Sequence, residues 1–242
     1  MGGFTEFRLK TASLAFKLRL ALVILIEIAY MVWSRYVYVD GLEHFATVEL
    51  LRTPVRLFAA GAFWLLMPDL IFSRRADLTT IRHPLFWAGV ICIGAFSVFM
   101  WPLDVQLQDT FIICAATIPV GLHEEFFSRG IVQNLLIRRV GVFWGVLLAT
   151  TLFTLWHVGA TADNGFNYTL IALAGLALGI IYLKTGSIAL VAVLHTLSDV
   201  LASLPPWVEW NPALGFVSLV IGVSLLGMWA GYKTLPNLPT RN

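Results

Sequence analysis

Eight apolar stretches, each about 20 residues long, follow one another along this 242-residue chain with short polar joints between them. They lie near 18–39, 53–72, 85–102, 110–137, 141–160, 167–184, 187–204 and 212–232. A helix of that length, rising about 1.5 Å per residue, matches a bilayer hydrocarbon core roughly 30 Å thick. Lipid offers no partner to backbone N–H and C=O groups, so each stretch is expected to be a helix. The predicted fold is all-α: a polytopic membrane protein of about eight transmembrane helices, one integral domain over residues 1–242. The second stretch is the weakest, because Arg52, Arg56, Pro68 and Asp69 crowd its ends. The fourth is long enough to tilt or to project from the membrane.

Composition agrees with a bilayer. Hydrophobic residues make up 59% of the chain and charged ones 12%, against about 25% charged in soluble domains. A net charge of +2, without a basic patch interleaved with aromatics, excludes a nucleic-acid partner. Cys92 and Cys114 lie in apolar runs without C-x-x-C spacing, so neither a disulfide framework nor a zinc knuckle is expected. Arg8, Lys10, Lys17 and Arg19 precede the first apolar run, which is too long and too aromatic for a signal peptide and reads as the first span.

The joints alternate in charge. Arg74, Arg75 and Arg82, then Arg138 and Arg139, then Lys184, then Lys233 and Arg241 fall on the side of the basic N-terminus. Asp40, Glu43, Asp104, Asp109, Asp163 and Glu209 fall on the other. By the positive-inside rule both termini are cytoplasmic. Arg35, Arg52 and Arg56, near the outer ends of the first two spans, break the pattern. Short loops and compact length point to a prokaryotic plasma membrane. Pro205, Pro206, Trp207 and Trp210 mark an outer loop at headgroup level. Gly175 and Gly179 give the sixth span a small-x-x-x-small seam for close helix packing.

Ionisable side chains lie deep inside three of these stretches. The fourth carries His123, Glu124, Glu125 and Arg129; the fifth His157, one turn after Phe153; the seventh His195 and Asp199. A charge at bilayer depth costs on the order of 3 kcal/mol, so such groups face a bundle interior or a water-filled cavity. Glu124 and Glu125 point about 100° apart on a helix and cannot share one environment. Glu125 lies four residues before Arg129, the favourable order for an ion pair, which leaves Glu124 free to point elsewhere. His195 and Asp199 share a helical face, so the carboxylate is expected to set the imidazole's tautomer or charge. Phe153 shares a face with His157 and reads as a cavity wall. H-E-x-x-H fails at Phe127, so His123 is expected to pack rather than to ligate. Ser128 and Ser198 lack a nucleophile setting such as G-x-S-x-G. A carboxylate base with two imidazoles is an inventory for activating water in an intramembrane catalytic cavity.

E-E-x-x-x-R, F-x-x-x-H and H-x-x-x-D, each on its own span, resemble the CAAX-protease and bacteriocin-processing (CPBP, or ABI) family of glutamate-dependent intramembrane endopeptidases. The resemblance covers residues 110–204 as a catalytic core. Some members have Asn where this chain has Asp199. The resemblance implies a peptidase in which Glu124 takes a proton from water that His157 holds. His195, with Asp199, would stabilise the oxyanion, and Glu125 and Arg129 would brace the site. No cofactor is expected, although zinc held by Glu124, His157 and His195, with Asp199 as a further ligand, uses the same atoms.

The implied partners are the lipid bilayer and a membrane-embedded or membrane-anchored protein or peptide substrate. Family members cut prenylated CAAX tails, leader peptides or membrane anchors. A transporter or immunity protein with an ion path is the alternative, supported by Glu27 and Asp69 in the first two spans. Counting about 1.5 Å per residue from Arg138 places Glu124 and His157 roughly 21–26 Å deep, in the outer half of the core. His195 counts as shallower, so a tilted or broken seventh helix is expected to bring it level. The loop from Gly159 to Asn167 is expected to admit substrate from the extracytoplasmic side.

Overall fold

A computed structural model describes residues 13–36, 45–100, 107–158, 165–203 and 211–231. Arg8, Lys10, Asp40, Glu43, Asp104, residues 159–164 of the expected entry loop with Asp163, Pro205, Pro206, Trp207, Glu209, Trp210, Lys233 and Arg241 lie outside them. The described chain is all-α: α1 (Leu14–Tyr36), α2 (Phe45–Leu66), α3 (Pro68–Ile71), α4 (Pro84–Met100), α5 (Leu107–Glu125), α6 (Asn134–Val140), α7 (Val142–Trp156), α8 (Gly165–Thr185), α9 (Ile188–Ser203) and α10 (Pro212–Gly231). A 3-10 turn spans Leu78–Arg82, and a π-helical segment, Phe126–Gln133, joins α5 to α6. Among the described residues, Asn167–Thr185 and Pro212–Gly231 are long and apolar enough to cross a membrane, and shorter apolar helices run Pro84–Phe99, Val142–Trp156 and Ile188–Ala202.

Polarity is turned inside out. His123, Glu125, Glu27 and Arg129 are 0–2% exposed, while Phe58, Ile91 and Phe143 are 68–71% exposed. In water that arrangement would place a large apolar surface against solvent; in lipid it is the favourable one. α5 packs against both α2 and α9, α7 against α8, and α10 against α4 and α8. Gly121 on α5 permits the approach to α9, since a Cβ there would lie 2.7 Å from the Ala192 carbonyl oxygen.

Two segments differ from the expectation. The second helix starts at Phe45, earlier than the apolar stretch, and stops at Leu66. Its polar start is affordable because Glu49 binds Arg52 at 2.9 Å and also pairs with Arg56, so the three charges neutralise one another. Pro68 then opens α3 at a position where a missing N–H costs nothing. The fourth stretch is one helical rod, but its middle is π-helical. The seventh helix, α9, is unbroken through His195 and Asp199. An unbroken α9 leaves the tilt of the two expected routes, and the π segment, which fits more residues into each turn than an α-helix, shortens the climb to Glu124.

Candidate active site

The wider turn of the π segment directs its residues into α8. Arg129 Nη2 donates to the Gly175 carbonyl at 2.9 Å, and Gln133 Nε2 donates to the Gly179 carbonyl at 3.0 Å. The small residues of the expected seam therefore expose backbone oxygens to a buried cation and an amide. Gly175 has a second reason to lack a side chain: a Cβ there would lie 2.8 Å from Phe153 Cδ1. Phe153 in turn covers the Arg129 guanidinium, 4.4 Å from its ring centre.

Above this base the two adjacent glutamates diverge, as their 100° separation requires. Glu125, fully buried, accepts from Arg129 Nη1 at 2.9 Å and from His195 Nδ1 at 2.8 Å through the same oxygen, Oε1. Arg129 Nη1 also donates to Ser128 Oγ, whose hydroxyl donates to the Glu124 carbonyl. Ser128 is thus engaged in holding this turn.

Glu124 points into a gap between two imidazoles. Its Oε2 lies 3.8 Å from His157 Nε2 and 3.9 Å from His195 Nε2, and has no hydrogen-bond partner. These separations are too long for direct hydrogen bonds and short enough for one small molecule to touch all three groups. Each imidazole is held by its other nitrogen. His157 Nδ1 donates to the Phe153 carbonyl at 2.8 Å, so the neutral ring turns a lone pair at Nε2 toward Glu124. His195 Nδ1 donates to Glu125. Phe153 lies 4.7 Å from the His157 ring and 6.3 Å from the His195 ring and so borders the gap.

Asp199, expected to set the tautomer or the charge of His195, places its Oδ2 3.7 Å from Nε2, the nitrogen that faces Glu124. The contact that sets the tautomer comes from Glu125 across the helix interface. Same-face spacing identified the Asp199 neighbour; no spacing within one helix could reveal the Glu125 link. The other flagged groups lie elsewhere. His123 is packed, with Nε2 2.7 Å from Glu27 Oε2 and its ring against Tyr30 and Phe63. Asp69 is exposed at the start of α3. Among the described residues, no three His, Cys, Asp or Glu side chains are arranged to hold a metal ion.

An all-helical body with apolar flanks thus encloses an acid–imidazole cluster withdrawn from the surface. Residues 105–201, which carry all three motifs, match the family described as type II CAAX prenyl endopeptidase Rce1-like, and over that stretch the chain is a domain of this family. That match implies an intramembrane endopeptidase, and with the apolar helices it points to an integral membrane protein. No curated protein and no solved structure matches the chain.

Proposed function

We propose that this protein hydrolyses a peptide bond in a membrane-embedded or lipid-anchored protein, using one water molecule held between Glu124, His157 and His195. The observation that carries this reading is the partnerless Glu124 oxygen, 3.8 and 3.9 Å from two imidazole nitrogens. Glu124 accepts a proton from the water while His157 Nε2 orients it. The water oxygen bonds to the carbonyl carbon of the scissile peptide, whose oxygen gains the negative charge. His195, as the imidazolium stabilised by Glu125 at Nδ1, donates Nε2–H to that oxyanion, a contribution of roughly 3–4 kcal/mol. Glu124 then passes its proton to the amine nitrogen, the C–N bond breaks and the carbonyl reforms. Asp199 borders the same nitrogen of His195 at 3.7 Å.

Buried charges outside the gap support a single centre over an ion path. Glu27 is closed off by His123 and Glu49 by two arginines, so these acids are paired locally and do not form a file. The family's name makes a prenylated Cys-aliphatic-aliphatic-X tail the first substrate to test. The charge pattern of the joints supports cytoplasmic termini in a prokaryotic plasma membrane, with the centre in the outer half and approach from outside. Cysteines at Ala160 and Ala162, outside the described residues, test this: a membrane-impermeant maleimide should label them in intact cells, and labelling only of opened cells inverts the topology.

The activity test is cleavage, by protein purified in detergent, of two quenched fluorescent peptides. One is a farnesylated Cys-aliphatic-aliphatic-Met tail, the other an apolar C-terminal membrane anchor. Cleavage of either by the wild type, and of neither by Glu124→Gln, is expected. Equal cleavage by Glu124→Gln would end the glutamate-base reading. The reading is metal-free, so active protein should contain less than stoichiometric zinc. Stoichiometric zinc that is lost with activity to a chelator, and restored with it, would make Glu124, His157 and His195 ligands.

A further inference from the structure

Arg35, one of the three arginines that break the positive-inside pattern, is tied to the end of the helix that carries His157. α7 finishes where the amides of His157 and Val158 close onto the Thr154 and Leu155 carbonyls at 3.0 and 3.1 Å. The carbonyls beyond them have no partner within the helix, the usual condition of a helix C-terminus. Arg35 Nη2 donates to two of these, Trp156 O at 2.7 Å and Val158 O at 2.8 Å, on either side of His157. Its Nη1 donates to Met31 O at 3.1 Å, which anchors the guanidinium to its own helix. The end of α1 is in turn strapped to α2, where Arg52 donates to the Ser34 carbonyl and pairs with Glu49. A guanidinium beside a helix C-terminus also complements the dipole.

We propose that Arg35 is a positioning residue for His157, fixing the direction in which that imidazole faces Glu124. The inference rests on the reading above, in which His157 holds the reacting water. The His157 ring is bonded to its own backbone through Phe153 O, so the ring moves with the end of α7. The end of α7 in turn is held by one guanidinium nitrogen that bonds both neighbouring carbonyls, while the other nitrogen anchors the group to α1. α1 and α2 lie outside the matched stretch, residues 105–201, so the clamp is supplied by the part of the chain that the family match leaves unassigned. Displacing a reacting group by about 1 Å costs on the order of 10²-fold in rate. Lysine keeps the charge but not the rigid two-nitrogen fork, so it is not an equivalent replacement.

The test compares wild type, Arg35→Lys and Arg35→Ala, first by amide hydrogen exchange over residues 153–158, which needs no substrate. Faster exchange at 156–158 is expected in both variants, with the centre of α8 unchanged. On whichever of the two quenched peptides the wild type cuts, kcat should fall about 10–100-fold with KM within about twofold. Free guanidinium at low millimolar concentration should restore part of kcat to Arg35→Ala, entering by the hollow of about 300 Å³ lined by Val32, Arg35 and Tyr36. A general loss of folding would be neither rescued nor confined to kcat. In a His157→Ala background, Arg35→Lys should cost nothing further. Wild-type exchange at 156–158, or wild-type kcat in both Arg35 variants, would overturn the proposal. Full activity in His157→Ala alone would instead remove the reading of His157, and the exchange result would still report whether Arg35 holds the helix end.

Discussion

The Glu49 and Glu124 clusters are made of similar parts, a carboxylate (buried at Glu49, half-buried at Glu124) facing two basic side chains, and they are put together differently. At Glu49 both oxygens are taken, Oε1 by Arg52 and Oε2 by Arg56, and Arg56 Nε donates to Tyr30 at 2.7 Å. At Glu124 the bases stand back at 3.8 and 3.9 Å, and each is held by a bond on its far side. The first arrangement uses its charges to hold two helices together. The second spends its bonds on holding the bases apart, which leaves an oxygen free to act. Burial alone therefore does not mark a reactive carboxylate; the spacing of its partners does.

That contrast predicts four outcomes. Glu124→Gln removes the carboxylate that takes the proton from the water and should lower kcat by about 10²–10⁴-fold, with the thermal midpoint little changed. A large loss of stability instead would mean that Glu124 resembles Glu49. Glu125→Gln should show both effects. It breaks a buried pair with Arg129, costing about 3–5 kcal/mol of stability, and frees His195, lowering kcat about 10²-fold in the protein that still folds. Peptide cleavage and thermal unfolding of the same preparation separate the two losses.

Glu49→Gln should destabilise by a similar 3–5 kcal/mol, because it leaves two buried guanidiniums facing one neutral amide. Its kcat, measured well below the unfolding temperature, should stay within about threefold of wild type, about 0.6 kcal/mol in the barrier. A kcat loss as large as that of Glu124→Gln would merge the two clusters into one functional unit. Asp199→Asn should have the smallest effect. At 3.7 Å the carboxylate makes no hydrogen bond to His195, so a loss under about tenfold, or 1.4 kcal/mol, is expected in kcat. A loss of 10³-fold would restore Asp199 to the orienting role that its spacing on α9 first implied.

Much of the site could be read from spacing because a helix converts sequence separation into direction. The Glu125–Arg129 pair, the divergence of Glu124, the Phe153 wall and the shared face of His195 and Asp199 all follow from angles within one helix. The packed role of His123 followed from a missing ligand position. The part that could not be read lies between helices. Nothing within α5 or α9 indicates that Glu125 Oε1 meets His195, and nothing in the apolar count of the fourth stretch indicates a π segment at its centre. Arg35, Arg52 and Arg56 did leave a trace, as cations on the wrong side of the charge pattern, but the trace did not say what they hold.

By itself the sequence determined that this chain is helical, belongs in a bilayer and carries an acid and two imidazoles at depth. Lipid enforces those properties residue by residue, since every backbone group must be bonded within its own segment and every buried charge must be compensated. Tertiary structure decided which compensation each charge receives. Glu125 could have been satisfied by Arg129 alone, and Arg35 by water at the membrane surface. The packing of α5 against α9 and the reach of Arg35 from α1 to the end of α7 gave them His195 and the Trp156 and Val158 carbonyls instead. Those choices depend on interhelical distances near 3 Å, set by where side chains such as those of Gly121 and Gly175 are missing, and a one-dimensional pattern does not contain them.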